Sequence, residues 1–145
     1  MTPQAAVLTI AGRNPFDAVV QNATGRPLAG IAIDTVQVNI GLRCNLACRH
    51  CHVESSPARQ EQMTWATMRE VLAAAGRAGA KTLDITGGAP EMHPLFLHFM
   101  DDALAMPLHV MVRTNLTIML QPGYTDLPYR FAERGIHLIA SLPCY

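Results

Sequence analysis

Hydrophobic and polar positions fall into regular order only from Thr35 onward. Val36-Gln37-Val38-Asn39-Ile40 alternates apolar and polar side chains, the period of a half-buried strand. It runs straight into Gly41 and a loop rich in cysteine. Met68, Val71, Leu72 and Ala75 then recur at the spacing of one helical face. Thr64 is placed to cap that helix and Gly79 to end it, with Met63 and Met68 as a hydrophobic staple. Residues 82–86 read as a second strand that ends in Gly87-Gly88-Ala89-Pro90-Glu91. Pro94 can open a helix whose stripe is Leu95, Phe96, Phe99, Met100, Ala103 and Leu104, and Pro107 stops it. Residues 108–114 form a third strand. Thr125 or Asp126 can cap a helix carrying Leu127 and Phe131, closed by Gly135, and residues 136–142 form a fourth strand.

The order is β-α-β-α-β-α-β, the signature of an α/β fold with a parallel sheet and crossover helices. Ligand sites in such folds lie at the C-terminal ends of the strands. Four candidate motifs share that rim: the cysteine loop, Gly87 to Glu91, Arg113-Thr114-Asn115, and the stretch from Ser141 to Cys144. Residues 1–34 are weakly patterned. Asn14-Pro15, Asn22 and Gly25-Arg26-Pro27 are turn signals there. This stretch reads as an N-terminal extension with one short helix near residues 15–20, and residues 35–145 as the core.

Composition narrows the class. Apolar residues make up 50% of the 145-residue chain and charged residues 15%, which argues against disorder over most of the length. Eleven basic and eleven acidic residues cancel, so neither nucleic acid nor a strongly basic partner is implied. No apolar run reaches the ~18 residues of a membrane span, and no secretory leader pattern opens the chain. Three clustered cysteines and one outlier without a leader fit a reducing cytoplasm, where clustered cysteines mean metal more often than disulfide.

The metal chemistry follows from Cys44-x-x-x-Cys48-x-x-Cys51. Three thiolates are one too few to close a tetrahedral site. They suit a 4Fe–4S cluster that keeps one iron open. The rival is zinc held as Cys₃His by His50 or His52, although zinc sites usually split their cysteines between two separated knuckles. Buried thiols without a metal fit poorly beside Arg43, Asn45, Arg49 and His50. Cys144, the outlying cysteine, is either a soft ligand for a substrate or a small hydrophobe.

Cys44-x-x-x-Cys48-x-x-Cys51 after a first strand, followed by Gly87-Gly88 after a second, resembles the radical S-adenosylmethionine (radical SAM) superfamily. The longer strings, residues 38–53, 83–92, 113–117 and 140–145, resemble its arsenosugar-biosynthesis members, also called radical SAM/Cys-rich domain proteins. The resemblance covers about residues 35–145. It implies a TIM-barrel-like partial (β/α) barrel and a 4Fe–4S cluster on Cys44, Cys48 and Cys51. The open iron would take the amino and carboxylate groups of S-adenosylmethionine, and reductive cleavage would give a 5′-deoxyadenosyl radical. In that group the fragment is thought to be transferred to dimethylated trivalent arsenic.

For the remaining residues the resemblance implies cofactor contacts. Gly87 and Gly88 would meet the methionine amino group. Glu91 stands near the family's glutamate, displaced by Ala89-Pro90. His50 would lie by the adenine, Arg113 and Asn115 by the carboxylate and ribose, and Ser141 by the ribose. Cys144 would act on the arsenical. For Arg113 a rim salt bridge is an equal alternative, and for Ser141 a plain strand-end hydroxyl. An electron donor such as flavodoxin or ferredoxin is implied as partner. A radical SAM enzyme acting on a peptide or another small metabolite, and a non-catalytic metal-binding module, are the alternatives in function.

Such a barrel has six strands, and four are visible here. The chain therefore reads as the N-terminal part of a longer protein, with residues 136–140 as an uncovered apolar edge. Expressed alone, it is expected to aggregate or turn over poorly even when it binds iron. A soluble monomer with full activity, seen by size-exclusion chromatography and assay, would refute that.

Overall fold

A computed structural model describes residues 15–141. These divide into two units, residues 15–33 and residues 34–141. The first holds one helix, α1 (Pro15–Thr24). The Gly25 N–H bonds the Gln21 carbonyl at 2.8 Å with φ at +70°, a left-handed close that glycine adopts readily. The helix starts where the sequence places it and runs four residues further.

The second unit carries strands β1 (Thr35–Asn39), β2 (Thr82–Thr86), β3 (His109–Thr114) and β4 (His137–Ala140). They form one parallel sheet in the order β1-β2-β3-β4. The helices between them are α2 (Trp65–Ala78), α3 (Phe96–Leu104) and α4 (Leu127–Glu133). The α/β class and the β-α-β-α-β-α-β order are as the hydrophobic pattern predicts, and the four-stranded parallel sheet is compatible with the partial barrel that the resemblance implies.

Local chemistry explains the element ends. The Thr64 hydroxyl accepts the Thr67 N–H at the start of α2, and Gly79 closes the helix at φ +67°. Asp126 stands at the cap position of α4 but makes no capping bond. Its carboxylate instead accepts the Arg130 Nε–H at 2.6 Å, one helical turn on. At the start of α3 the cap comes from a ring: His93 Nδ1 accepts the Leu95 N–H at 3.1 Å, while Nε2 bonds the Met63 carbonyl at 3.0 Å. His93 is therefore a satisfied, buried structural histidine.

Register assigns each strand two faces. Val36 pairs with Leu83, Val38 with Ile85, Leu83 with Val110 and Ile85 with Val112. Val38, Leu83, Ile85, Val110 and Val112 share the main core with Met68, Leu72, Phe96, Phe99, Met100 and Phe131 from the helices. Gln37, Asp84, Met111 and His137 fall on the opposite face, followed toward the C-terminal ends by Asn39, Thr86, Arg113 and Ile139. Burial on the helical side fixes the register, since a one-residue slip would invert every side chain. The polar face is thereby left to function.

Candidate active site at the cysteine loop

The cysteine loop, residues 41–63, folds back on itself, and its two ends pair with each other and with the end of β1. Leu42 N–H bonds Glu61 O at 3.0 Å, Cys44 N–H bonds Ser56 O at 3.1 Å, and Met63 N–H bonds Ile40 O at 2.9 Å. The exit of β2 docks against this loop. Gly88 N–H donates to Gly41 O and Ala89 N–H to Arg43 O, both at 2.9 Å.

The two backbones approach so closely that no side chain fits between them. A Cβ on Gly87 would lie 2.8 Å from Gly41 O, and one on Gly88 would lie 2.5 Å from Arg43 O. Glycine at these positions has a reason internal to the fold. The small residues admit the cysteine loop itself, and the requirement stands whether or not a cofactor is near.

A cavity of about 620 Å³ opens at the C-terminal ends of the strands. Its size is that of a small-molecule site. Cys44, Cys48, Cys51, His50, Gly87, Gly88, Arg113, Asn115 and Ser141 all line it. Among the sequence-predicted residues, Glu91 is not in that lining and Cys144 lies outside the described residues. Gln37, Asn39 and Thr86 join the lining from the polar faces of β1 and β2.

Each sulfur sits in a different setting. Cys44 is buried, and Cys48 and Cys51 are half-buried. No disulfide joins them. The Leu46 N–H donates to Cys44 Sγ at 3.4 Å and Asn115 Nδ2 at 3.6 Å. The Ser55 N–H donates to Cys51 Sγ at 3.3 Å. Desolvation pushes the Cys51 thiol up, but the Ser55 N–H, with help from the Val53 and Glu54 N–H groups and the Ser55 hydroxyl, outweighs it and holds the thiol below its ordinary value. Glu54 takes a positive φ of 51° in the turn that wraps these groups around the sulfur.

Donors aimed at sulfur suit thiolates that ligate metal. Among the described residues no three His, Cys, Asp or Glu side chains converge as a single ion requires.

The exit of β3 is stitched to the loop by three side chains. Asn115 Nδ2 donates to Asn45 Oδ1 at 2.8 Å, and Asn45 Nδ2 donates to Thr117 Oγ1 at 2.8 Å. Thr117 Oγ1 donates to Asn115 Oδ1 at 3.1 Å, closing a ring, and Asn115 Oδ1 also accepts the Ile118 N–H at 3.1 Å. The turn holds Leu116 at φ +60°, ψ −33°. Such backbone costs about 1–3 kcal/mol and persists where neighbours over-determine it. Both ends of the Asn115 amide are thus engaged inside the protein, although the residue lines the cavity.

Arg113 is likewise engaged. Its Nε and Nη2 bond the Asp84 carboxylate at 2.8 to 3.0 Å, and Gln37 Nε2 reaches Asp84 Oδ2 at 2.7 Å. Burial alone would raise Asp84, but the bonds from Arg113 and Gln37 hold it below the ordinary carboxylate range. The rim salt bridge is therefore present, and its partner is one the motifs did not name. Alternation carried the signal: Val36-Gln37-Val38, Leu83-Asp84-Ile85 and Val112-Arg113-Thr114 put Gln37, Asp84 and Arg113 on the same face.

Glu91 lies in a 3₁₀ turn, Pro90–Met92, and is only 5% exposed. Neither carboxylate oxygen has a hydrogen-bond partner. It follows Ala89-Pro90 into the protein and lies outside the cavity lining. Burial pushes its carboxyl up, with the neighbouring Thr114 hydroxyl opposing the shift.

Two outcomes follow. Gly88→Ala should detach the β2 exit from the cysteine loop and lower the urea midpoint, with a cost of roughly 1–3 kcal/mol from overpacking. The folded Glu91 holds its proton more tightly than the unfolded chain, so wild-type stability falls as pH rises above the ordinary carboxylate value of 4.5. Glu91→Gln should therefore be more stable than wild type in urea melts near pH 7.5 and lose that advantage near pH 3.5. An equal difference at both pH values would contradict this.

Over residues 38–139 the chain matches the model of the Radical SAM superfamily. It is 27% identical over 78 residues to a probable GTP 3′,8-cyclase of Methanopyrus kandleri, covering 54% of this chain and 25% of that protein. It is 28% identical over 78 residues to a GTP 3′,8-cyclase of Chlorobaculum tepidum, covering 54% of this chain and 24% of that one. Over 77 residues it is 34% identical to the antilisterial bacteriocin subtilosin biosynthesis protein AlbA of Bacillus subtilis, covering 53% of this chain and 17% of that one. The chain spans about a quarter or less of these relatives' length. None of the three is named for arsenic chemistry, so the match reaches the superfamily and no finer. With the match running through most of the parallel sheet and the whole cysteine loop, the chain belongs to the Radical SAM superfamily, enzymes whose members bind a 4Fe–4S cluster and S-adenosylmethionine.

Proposed function

We propose that residues 35–145 are the N-terminal portion of a radical SAM core, preceded by an extension over residues 1–34. In this reading Cys44, Cys48 and Cys51 hold three irons of a 4Fe–4S cluster and leave the fourth for S-adenosylmethionine. The observation that supports it best is the shared cavity: three cysteines, the Gly87-Gly88 backbone and the Ser141 hydroxyl line one space of ligand size. When bound, the cluster supplies the single electron that cleaves the sulfonium.

The chain's own residues bind and orient. The three thiolates fix the cluster on a loop docked by backbone bonds to β2. The backbone edge of Gly87-Gly88 faces the methionine amino group. Arg113, held by Asp84, offers the cofactor carboxylate the part of its guanidinium not spent on that pair. The exposed His50 ring serves the adenine and Ser141 the ribose. An electron donor of flavodoxin or ferredoxin type delivers the reducing equivalent.

The substrate reading is adenosyl transfer to dimethylated trivalent arsenic, with Cys144 as a soft ligand for the arsenical. It rests on the resemblance of the motif strings. The similarity to a bacteriocin biosynthesis protein favours a peptide as the second reading.

Anaerobic reconstitution tests the core claim. About four irons and four sulfides per chain are expected for one cubane, and the reduced electron paramagnetic resonance signal should change on adding S-adenosylmethionine. Cys48→Ala should lose the cluster. Stoichiometric zinc without sulfide would sink the reading. For the substrate, a protein carrying the whole barrel should form an arsenic–adenosyl adduct from trivalent dimethylarsenic, and consumption of a peptide instead would favour the second reading.

A further inference from the structure

Asn115 Nδ2 lies 3.6 Å from Cys44 Sγ, and this is a buried contact between residues 71 positions apart. Among the described residues it is the side-chain donor at that sulfur, whose other side-chain contact is the Asn45 Oδ1 acceptor at 3.9 Å. The other donor is the Leu46 backbone N–H, which comes from the loop itself. Asn115 is 8% exposed and Cys44 7% exposed, so water competes little for the contact. The amide cannot turn away easily, because the ring through Asn45 and Thr117 and the Ile118 N–H hold both of its ends. Orientation settles which end faces the sulfur. Oδ1 accepts from Thr117 and Ile118, so Nδ2 is the end left for Cys44.

A donor to a cluster sulfur favours the state with more negative charge on it, which is the reduced one. Hydrogen bonds to sulfur, together with burial, are among the levers that set iron–sulfur potentials. We propose that Asn115 is a positioning residue that raises the reduction potential of a cluster bound through Cys44, and that the Asn45–Thr117–Asn115 ring exists to keep its N–H on that sulfur. The inference rests on the cluster reading above. It assigns β3 a task distinct from holding S-adenosylmethionine: its exit tunes the metal held by the loop that follows β1.

The test is the midpoint potential of the anaerobically reconstituted holoprotein, titrated by electron paramagnetic resonance without S-adenosylmethionine. Asn115→Leu removes the donor and keeps the γ-branched outline. Its potential should fall by about the equivalent of a tenfold change in the one-electron equilibrium, ~59 mV. Asn115→Asp keeps the shape but puts a carboxylate by the sulfur, and should fall at least as far. Iron and sulfide content at wild-type level with an unchanged potential in both variants would overturn the proposal while leaving the cluster reading intact. A wild-type chain that binds no sulfide overturns both. Where the variants do not load iron, wild type labelled with ¹⁵N-asparagine decides: the reduced cluster should show a weak nitrogen hyperfine coupling from that label, and its absence would overturn the proposal.

Discussion

Everything at this site depends on one close approach between two backbones. The exit of β2 and the start of the cysteine loop run so near each other that a single methyl at Gly88 would lie 2.5 Å from a carbonyl oxygen. Two N–H···O bonds fix the contact, from Gly88 to Gly41 and from Ala89 to Arg43. A loop with little secondary structure of its own needs such an anchor, since its polar backbone must find partners somewhere. Here the anchor is the sheet. The position of Cys44 therefore follows from the position of β2, and the loop inherits the rigidity of the parallel core.

A second tether acts from the other side. The Asn45–Thr117–Asn115 ring ties the same loop to the exit of β3, at the cost of a left-handed Leu116. The first cysteine is thus held between two strand ends, while Cys48 and Cys51 stand further out on the loop and nearer solvent. Local N–H groups gather at Cys51, and a distant side chain reaches Cys44. The sulfurs are chemically alike in sequence and different in surroundings. That difference is what a cluster with three unequal irons would register.

The polar face of the sheet obeys a separate logic. Asp84 is nearly buried, yet Arg113 and Gln37 satisfy it and keep it ionised. Glu91, only seven residues away, is equally buried and has no partner, so burial drives it toward the neutral form. Two carboxyls with the same intrinsic chemistry are pushed in opposite directions by what stands beside them. The paired one shapes the cavity wall, and the unpaired one lies behind the glycine turn.

The sequence by itself determined the alternation of strands and helices, their near-boundaries, the parallel sheet, and the gathering of the three cysteines, Gly87-Gly88, Arg113 and Ser141 on one rim. These are legible because period, caps and breakers act over a few residues, and because a parallel sheet puts every strand's end on the same side. Tertiary structure alone decided the partners. Asp84 for Arg113, Asn45 for Asn115, Thr117 for Asn45, and Gly41 for Gly88 are separated by 29 to 72 positions, and no local pattern encodes such distances. It also decided that Glu91 points inward, since Ala89-Pro90 reads as a small insertion in one dimension and is a change of direction in three.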